Sequence, residues 1–234
     1  LFLPVVVCFL LPSPSCNHFT RFVPFGNPSF YPLLFAVTPV QLLVQNIGTD
    51  NMQDSMETKT PQELATEGGK LYKNGEYASA ASTFAAAENA YQLQEDLLKA
   101  AEMANNCSVA WLQAGEAQAA LDAVADTVEI FASHTDELHQ AMAYGNRAAA
   151  LEALEQYDDA IQDYAASADL LKKINADELR LDVMKSLSAL QLKTGHSLEA
   201  LTTMQAGVDG LKNPKMRHRI LQRLLDMPAK LMKR

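Results

Sequence analysis

The sequence predicts an all-α solenoid of four helical hairpins closed by a C-terminal capping helix. The first observation behind this is a repeat that steps by 40 residues. Small residues recur at Gly75, Gly115 and Gly195, with Glu155 in the third slot, and at Ala80, Ala120, Ala160 and Ala200. Bulky residues recur at Phe84, Val124, Tyr164 and Met204, and again at Tyr91, Phe131, Leu171 and Leu211. Two more columns are small: Ala87, Thr127, Ser167 and Gly207, then Gly68, Ser108, Ala148 and Ser188. A fixed period of this length marks a repeat architecture. The second observation is local spacing. Tyr77, Ala80, Ala81, Phe84, Ala87 and Tyr91 follow the i, i+3, i+4, i+7 order that gives a helix one apolar face. The third is the contrast between columns. Small residues let two helix backbones approach, and bulky ones fill the gaps. A single hairpin cannot bury its apolar face, whereas stacked neighbours can.

Each element has its own signal. Thr60 is an N-cap, Pro61 takes the first helical position, and Glu63 completes a capping box. That helix runs to about Asn74, and Gly75 ends it in the left-handed conformation. A second helix from about Glu76 completes the first unit, residues 61–94. The second unit spans residues 96–134. The third spans 136–173 behind a Thr135 cap, and the fourth spans 176–212 behind an Asn175 cap, with Glu178 three residues on. Trp111 is the only tryptophan and shares a column with Leu71, Leu151 and Gln191, which reads as core. Residues 52–60 form a polar lead-in. Residues 213–234 form the basic amphipathic cap: Asn213 and Pro214 restart a helix, and Pro228 interrupts it. Its stripe of Met216, Ile220, Leu221, Leu224 and Leu225 should lie on the last hairpin, with Arg217, Arg219 and Arg223 in water.

The stretch Gly68 to Tyr77, followed by Ala80, Phe84 and Ala87, has the order small, aromatic, Gly, Tyr, Ala, aromatic, Ala. The stretch Asn146 to Leu151, followed by Gln156, Tyr157, Ala160 and Ile161, follows it again. These residues resemble the tetratricopeptide repeat, in a long variant whose period exceeds the usual length of about 34 residues. In the second and fourth units Ala117 and Ser197 stand where tyrosine is usual. The resemblance covers roughly residues 61 to 212. It implies a right-handed solenoid whose first helices line a concave groove, and a role in binding peptides or proteins without catalysis. One known use of that fold is a clamp for C-terminal carboxylates of chaperones. Asn146 matches its asparagine, but Asn105, Val109, Asp182 and Ser186 stand where the other clamp residues belong. Asp182 would repel a carboxylate, so that ligand is not expected.

Residues 1–51 differ from the rest. They hold seven of the ten prolines and seven of the nine phenylalanines, with Arg21 and Asp50 as their charged residues. The stretch lacks the basic start of an export signal, and its apolar runs are short or broken by proline. Two readings stay open: translated upstream sequence before a native start at Met52 or Met56, or a truncated targeting segment or anchor. Neither contributes to the fold. The net charge is −9, but residues 211–234 carry eight Lys or Arg against Asp226, a net +7 that leaves −16 for residues 1–210. An acidic body argues against nucleic acid as the partner. Cys8, Cys16 and Cys107 give neither a disulfide framework nor metal spacing, and Cys107 reads as a buried thiol. A cytoplasmic protein is expected.

No catalytic constellation stands out, and neither a metal nor a cofactor is expected. His134 and His139 are five residues apart, so they do not share a helix face, and they read as a capping cluster. Asp158, Asp159 and Asp163 read as a solvated face. What remains is the polar column Thr66, Asn106, Asn146 and Ser186 on the first helices. With its helical neighbours it gives a strip: Glu102, Asn105 and Asn106, then Asn146 beside the small Gly145, then Asp182, Lys185 and Ser186. Side-chain amides both donate and accept, so such a strip can hold a peptide backbone. Glu102 and Asp182 would favour a basic peptide. If these side chains point into the groove, the core does not need them. The expected function is therefore a non-catalytic protein- or peptide-binding scaffold or adaptor. The alternatives are a structural subunit of a larger assembly, or a peripheral membrane adaptor acting through residues 213–234.

Overall fold

The computed structural model of the chain describes residues 59–212, 214 and 216–225. All of these belong to one unit, and their regular structure is entirely helical. The helices are α1 (Pro61–Lys73), α2 (Tyr77–Leu93), α3 (Leu97–Ala114), α4 (Ala117–Ala123) and α5 (Thr127–Ser133). They continue with α6 (Glu137–Ala153), α7 (Tyr157–Lys173), α8 (Asp177–Lys193), α9 (Ser197–Asp209) and α10 (Met216–Leu225). Packing is mainly between neighbours in sequence: α1 on α2, α2 on α3, α3 on α4 and α5, then α5 through α10 each on the next. In addition α3 touches α6. The readings of residues 1–58, of Asn213 as a cap and of Pro228 as a break lie outside the described residues.

The turns follow a step of half the sequence repeat. Gly75, Glu95, Gly115, Thr135, Glu155, Asn175 and Gly195 all have φ between 56° and 89°, one every 20 residues. In each case the next residue's N–H returns to a carbonyl five positions earlier, at 2.7 to 3.0 Å. The acceptors are Leu71, Tyr91, Trp111, Phe131, Leu151, Leu171 and Gln191. This bond, with a left-handed residue before the donor, satisfies a carbonyl that the helix end leaves open. The column Leu71, Trp111, Leu151 and Gln191 and the column Tyr91, Phe131 and Leu171 are therefore one column, set by the turns. The same geometry corrects two caps. Thr135 and Asn175 fill the left-handed slot at φ 56° and 57°, and the N-caps are Asp136 and Ala176. Asp136 Oδ1 accepts from the His139 N–H at 3.1 Å, while Ala176 has no side chain to offer. The capping box at Thr60 and Glu63 forms as expected.

A second correction concerns the second unit. Its second half was expected as one helix, but Val124 to Asp126 part α4 from α5. Thr127 sends both its hydroxyl and its N–H to the Val124 carbonyl, at 3.0 and 3.3 Å. A bond three residues back tightens the turn and interrupts the α ladder. Val124 nonetheless stays fully buried, so the column survives the break.

The small columns do what their size predicts. Ala80, Ala120, Ala160 and Ala200 are all buried, as are Ala87, Thr127, Ser167 and Gly207. A Cβ on Gly68 would run into the ring of Phe84, which explains a glycine inside α1. Three buried polar side chains find a backbone carbonyl, while the Ser108 hydroxyl has no partner. Ser167 donates to Ala141 at 2.7 Å, Ser188 to Ala200 at 2.8 Å, and the buried Cys107 thiol to Ala81 at 3.6 Å. The largest apolar cluster lies where α6, α7 and α8 meet, around Leu151, Tyr164, Leu171, Val183 and Leu190.

Two residues of the stripe expected to pack lie outward on the last helix: Met216 is 80% exposed and Ile220 52%, beside the exposed Arg219 and Arg223, while His218 is buried. The expectations for Arg217, Leu221, Leu224 and Leu225 lie outside the described side chains.

Candidate functional site

The predicted strip divides into a buried part and an open part. Asn105, Asn106 and Asn146 are 3%, 5% and 4% exposed, so a ligand could reach their amides only if the helices parted. Their surroundings are internal. Asn146 on α6 donates from Nδ2 to the Asn105 carbonyl on α3 at 3.5 Å. Thr127 Oγ1, at the α4–α5 break, donates to Asn105 Oδ1 at 3.4 Å. Asn105 Nδ2 has no partner. Asn105 and Asn146 thus meet in the seam where α3 packs on α6 and help to set its register, a role that Asn in a packed helix can take.

Glu102, Asp182, Lys185 and Ser186 are half-exposed. Glu102 lies at the mouth of the same seam. Its Oε1 is 3.9 Å from His139 Nε2, and burial raises its carboxyl above the ordinary range against the pull of His139. His139 Nδ1 is hydrogen-bonded with Asp136 Oδ2 at 2.7 Å, and its ring stacks on Phe131 with centroids 5.3 Å apart. The cap at Asp136 thus holds the imidazole toward α3. On α8, Lys185 donates to Asp182 at 2.6 Å, so the two charges of that end largely satisfy each other. Ser186 is hydrogen-bonded to Tyr164, whose hydroxyl donates to Glu152 at 3.2 Å. Burial raises Glu152 as well and pushes the Tyr164 phenol far upward.

Two features escaped the sequence. Asp163 is buried rather than solvated, gripped by Arg147 through Nε at 2.6 Å and Nη2 at 2.9 Å. The spacing of Asp158, Asp159 and Asp163 could not show this, because the partner lies on the preceding helix. Arg147 also lies 5.2 Å from the centroid of the Tyr144 ring. The second feature is a cleft of about 260 Å³ between α2, α3, α4 and α5. Ala100, Ala101, Ala104 and Ala123 form its floor, and Glu88, Asp122 and Asp126 stand among its lining. It opens beside the α4–α5 break, which no periodicity announced.

Among the described residues no group of three or more His, Cys, Asp and Glu side chains is placed to hold a metal ion. No described helix is long and apolar enough to cross a membrane. Fold and seam together define an all-helical protein in which neighbouring helices pack through small-residue columns on a 20-residue turn step. Comparison with family models, with curated proteins and with solved structures finds no match.

Proposed function

We propose that the chain is a non-catalytic interaction module, a tetratricopeptide-like solenoid that binds a basic peptide or protein segment. The observation that carries the reading is the packing of α3 on α6, the first helices of two successive units, on one regular turn step. Stacked hairpins make a binding wall from such first helices, and here α6 is joined to the next first helix, α8, through α7. The wall's ligand-facing chemistry then belongs to the half-exposed carboxylates Glu102 and Asp182, with Lys185 and Ser186 beside them. Asn105 and Asn146 act behind it, as determinants of helix register, and Asn106 is buried with them.

A displayed library of random peptides tests the reading. Selection on the full chain should enrich Lys- or Arg-containing sequences, and Glu102→Gln with Asp182→Asn should weaken the enriched peptides about tenfold, or roughly 1.4 kcal/mol. Selection that enriches nothing over the starting pool removes peptide binding from the account. Enriched peptides whose affinity ignores both carboxylates move the site off this wall.

A further inference from the structure

We propose that a second copy of this chain covers the cleft between α2, α3, α4 and α5, laying the outer face of its own α10 there. This goes beyond the peptide reading and does not depend on it. Two surfaces that the fold leaves open carry the inference. On α10, Met216 at 80% exposure and Ile220 at 52% stand one turn apart, with the exposed Arg219 and Arg223 one turn apart beside them. An apolar pair left in water on a helix at the end of the described chain, ringed by cations, is an interaction face. The cleft is its counterpart. Its alanine floor leaves depth for an unbranched or β-branched side chain, Leu97 is 52% exposed among its lining, and Glu88, Asp122 and Asp126 supply the opposite charge.

The charge balance of the chain runs the same way. Residues 211–234 are net +7, against −16 for residues 1–210. Within one copy α10 is held on α9, with α6, α7 and α8 between it and the cleft in chain order. The two surfaces are different patches, so the contact is heterologous: each copy offers one helix and one cleft, and association runs head to tail.

Sedimentation velocity on the full chain tests this. At low salt the weight-average coefficient should rise with concentration, and high salt should lower it, because screening weakens exposed charge pairs. Arg219→Glu with Arg223→Glu should weaken association about tenfold or more, and Asp122→Lys with Asp126→Lys should do the same. All four side chains are exposed, so circular dichroism should show both variants folded. An equimolar mixture of the two variants offers two matched pairings, the native one and its charge-reversed counterpart, so association should return and rise with concentration. A chain that stays monomeric at every concentration overturns the proposal, as does association that survives both reversals or a mixture that remains monomeric. Arginine-dependent binding to phosphatidylserine vesicles by a monomeric chain also overturns it and gives α10 a lipid surface instead.

Discussion

Glu155 sits at φ 61° in a slot that Gly75, Gly115 and Gly195 fill elsewhere. A side chain there costs about 1–2 kcal/mol of backbone strain, offset in part because glycine loosens the unfolded chain. Glu155→Gly should therefore stabilise the protein by about 0.5–1 kcal/mol, read as a higher urea midpoint with an unchanged slope. Glu152 bears on pH. Burial raises its carboxyl from an ordinary value of 4.5, so the folded state holds the proton more firmly than the unfolded chain. Stability should then fall as pH climbs from about 4.5 through the raised folded value. Glu152→Gln keeps an acceptor for Tyr164 and should remove part of that decline in melting temperature; an unaltered pH profile would show the carboxylate to be well solvated.

At the scale of the helix, the fold was legible wherever size or capping carried the signal. Ala160 was readable as a contact point because alanine recurs there in all four units, and it is fully buried. Ala160→Leu should overpack the contact and cost about 1–3 kcal/mol in chemical denaturation. The turns were half legible. Glycine announces a left-handed residue, but Glu95, Thr135 and Asn175 do so only through the chain's return bonds, which leave no mark on composition. Thr135 and Asn175 are also good caps in isolation, so local preference pointed one residue too early. The site was less legible still. A polar column on a helix looks the same whether it faces a groove or the next helix, and Asn105, Asn106 and Asn146 are buried. Met216 and Ile220 of α10 were misplaced for a similar reason: helical spacing promised their burial, but His218 is the residue buried there.

Over the described chain as a whole, contacts are made mainly between neighbours, so resistance to opening should vary along it. The helices α3 and α6 are covered from several sides, whereas α10 rests on α9 and leaves Met216 and Ile220 in water. Hydrogen exchange followed by mass spectrometry should find the amides of α10 exchanging first and those of α3 and α6 last. Uniform protection across the helices would mean that the chain opens as one cooperative block.

The regular spacing of the left-handed residues also fixes which changes of length the chain can accept. Each of the seven left-handed turns presents the same outgoing and incoming backbone, so a cut after Thr135 can be rejoined at Ala176 without meeting a new kind of corner. Such an excision removes one α6–α7 pair, and it keeps first helices beside first helices. Removing half as much would also join matching corners, but it would put a second helix where a first belongs and set the wrong residues face to face. Lengths that are no multiple of the turn step would leave a left-handed residue in mid-helix. The architecture is thus graduated like a rule, and engineered variants should lengthen or shorten best by whole pairs of helices.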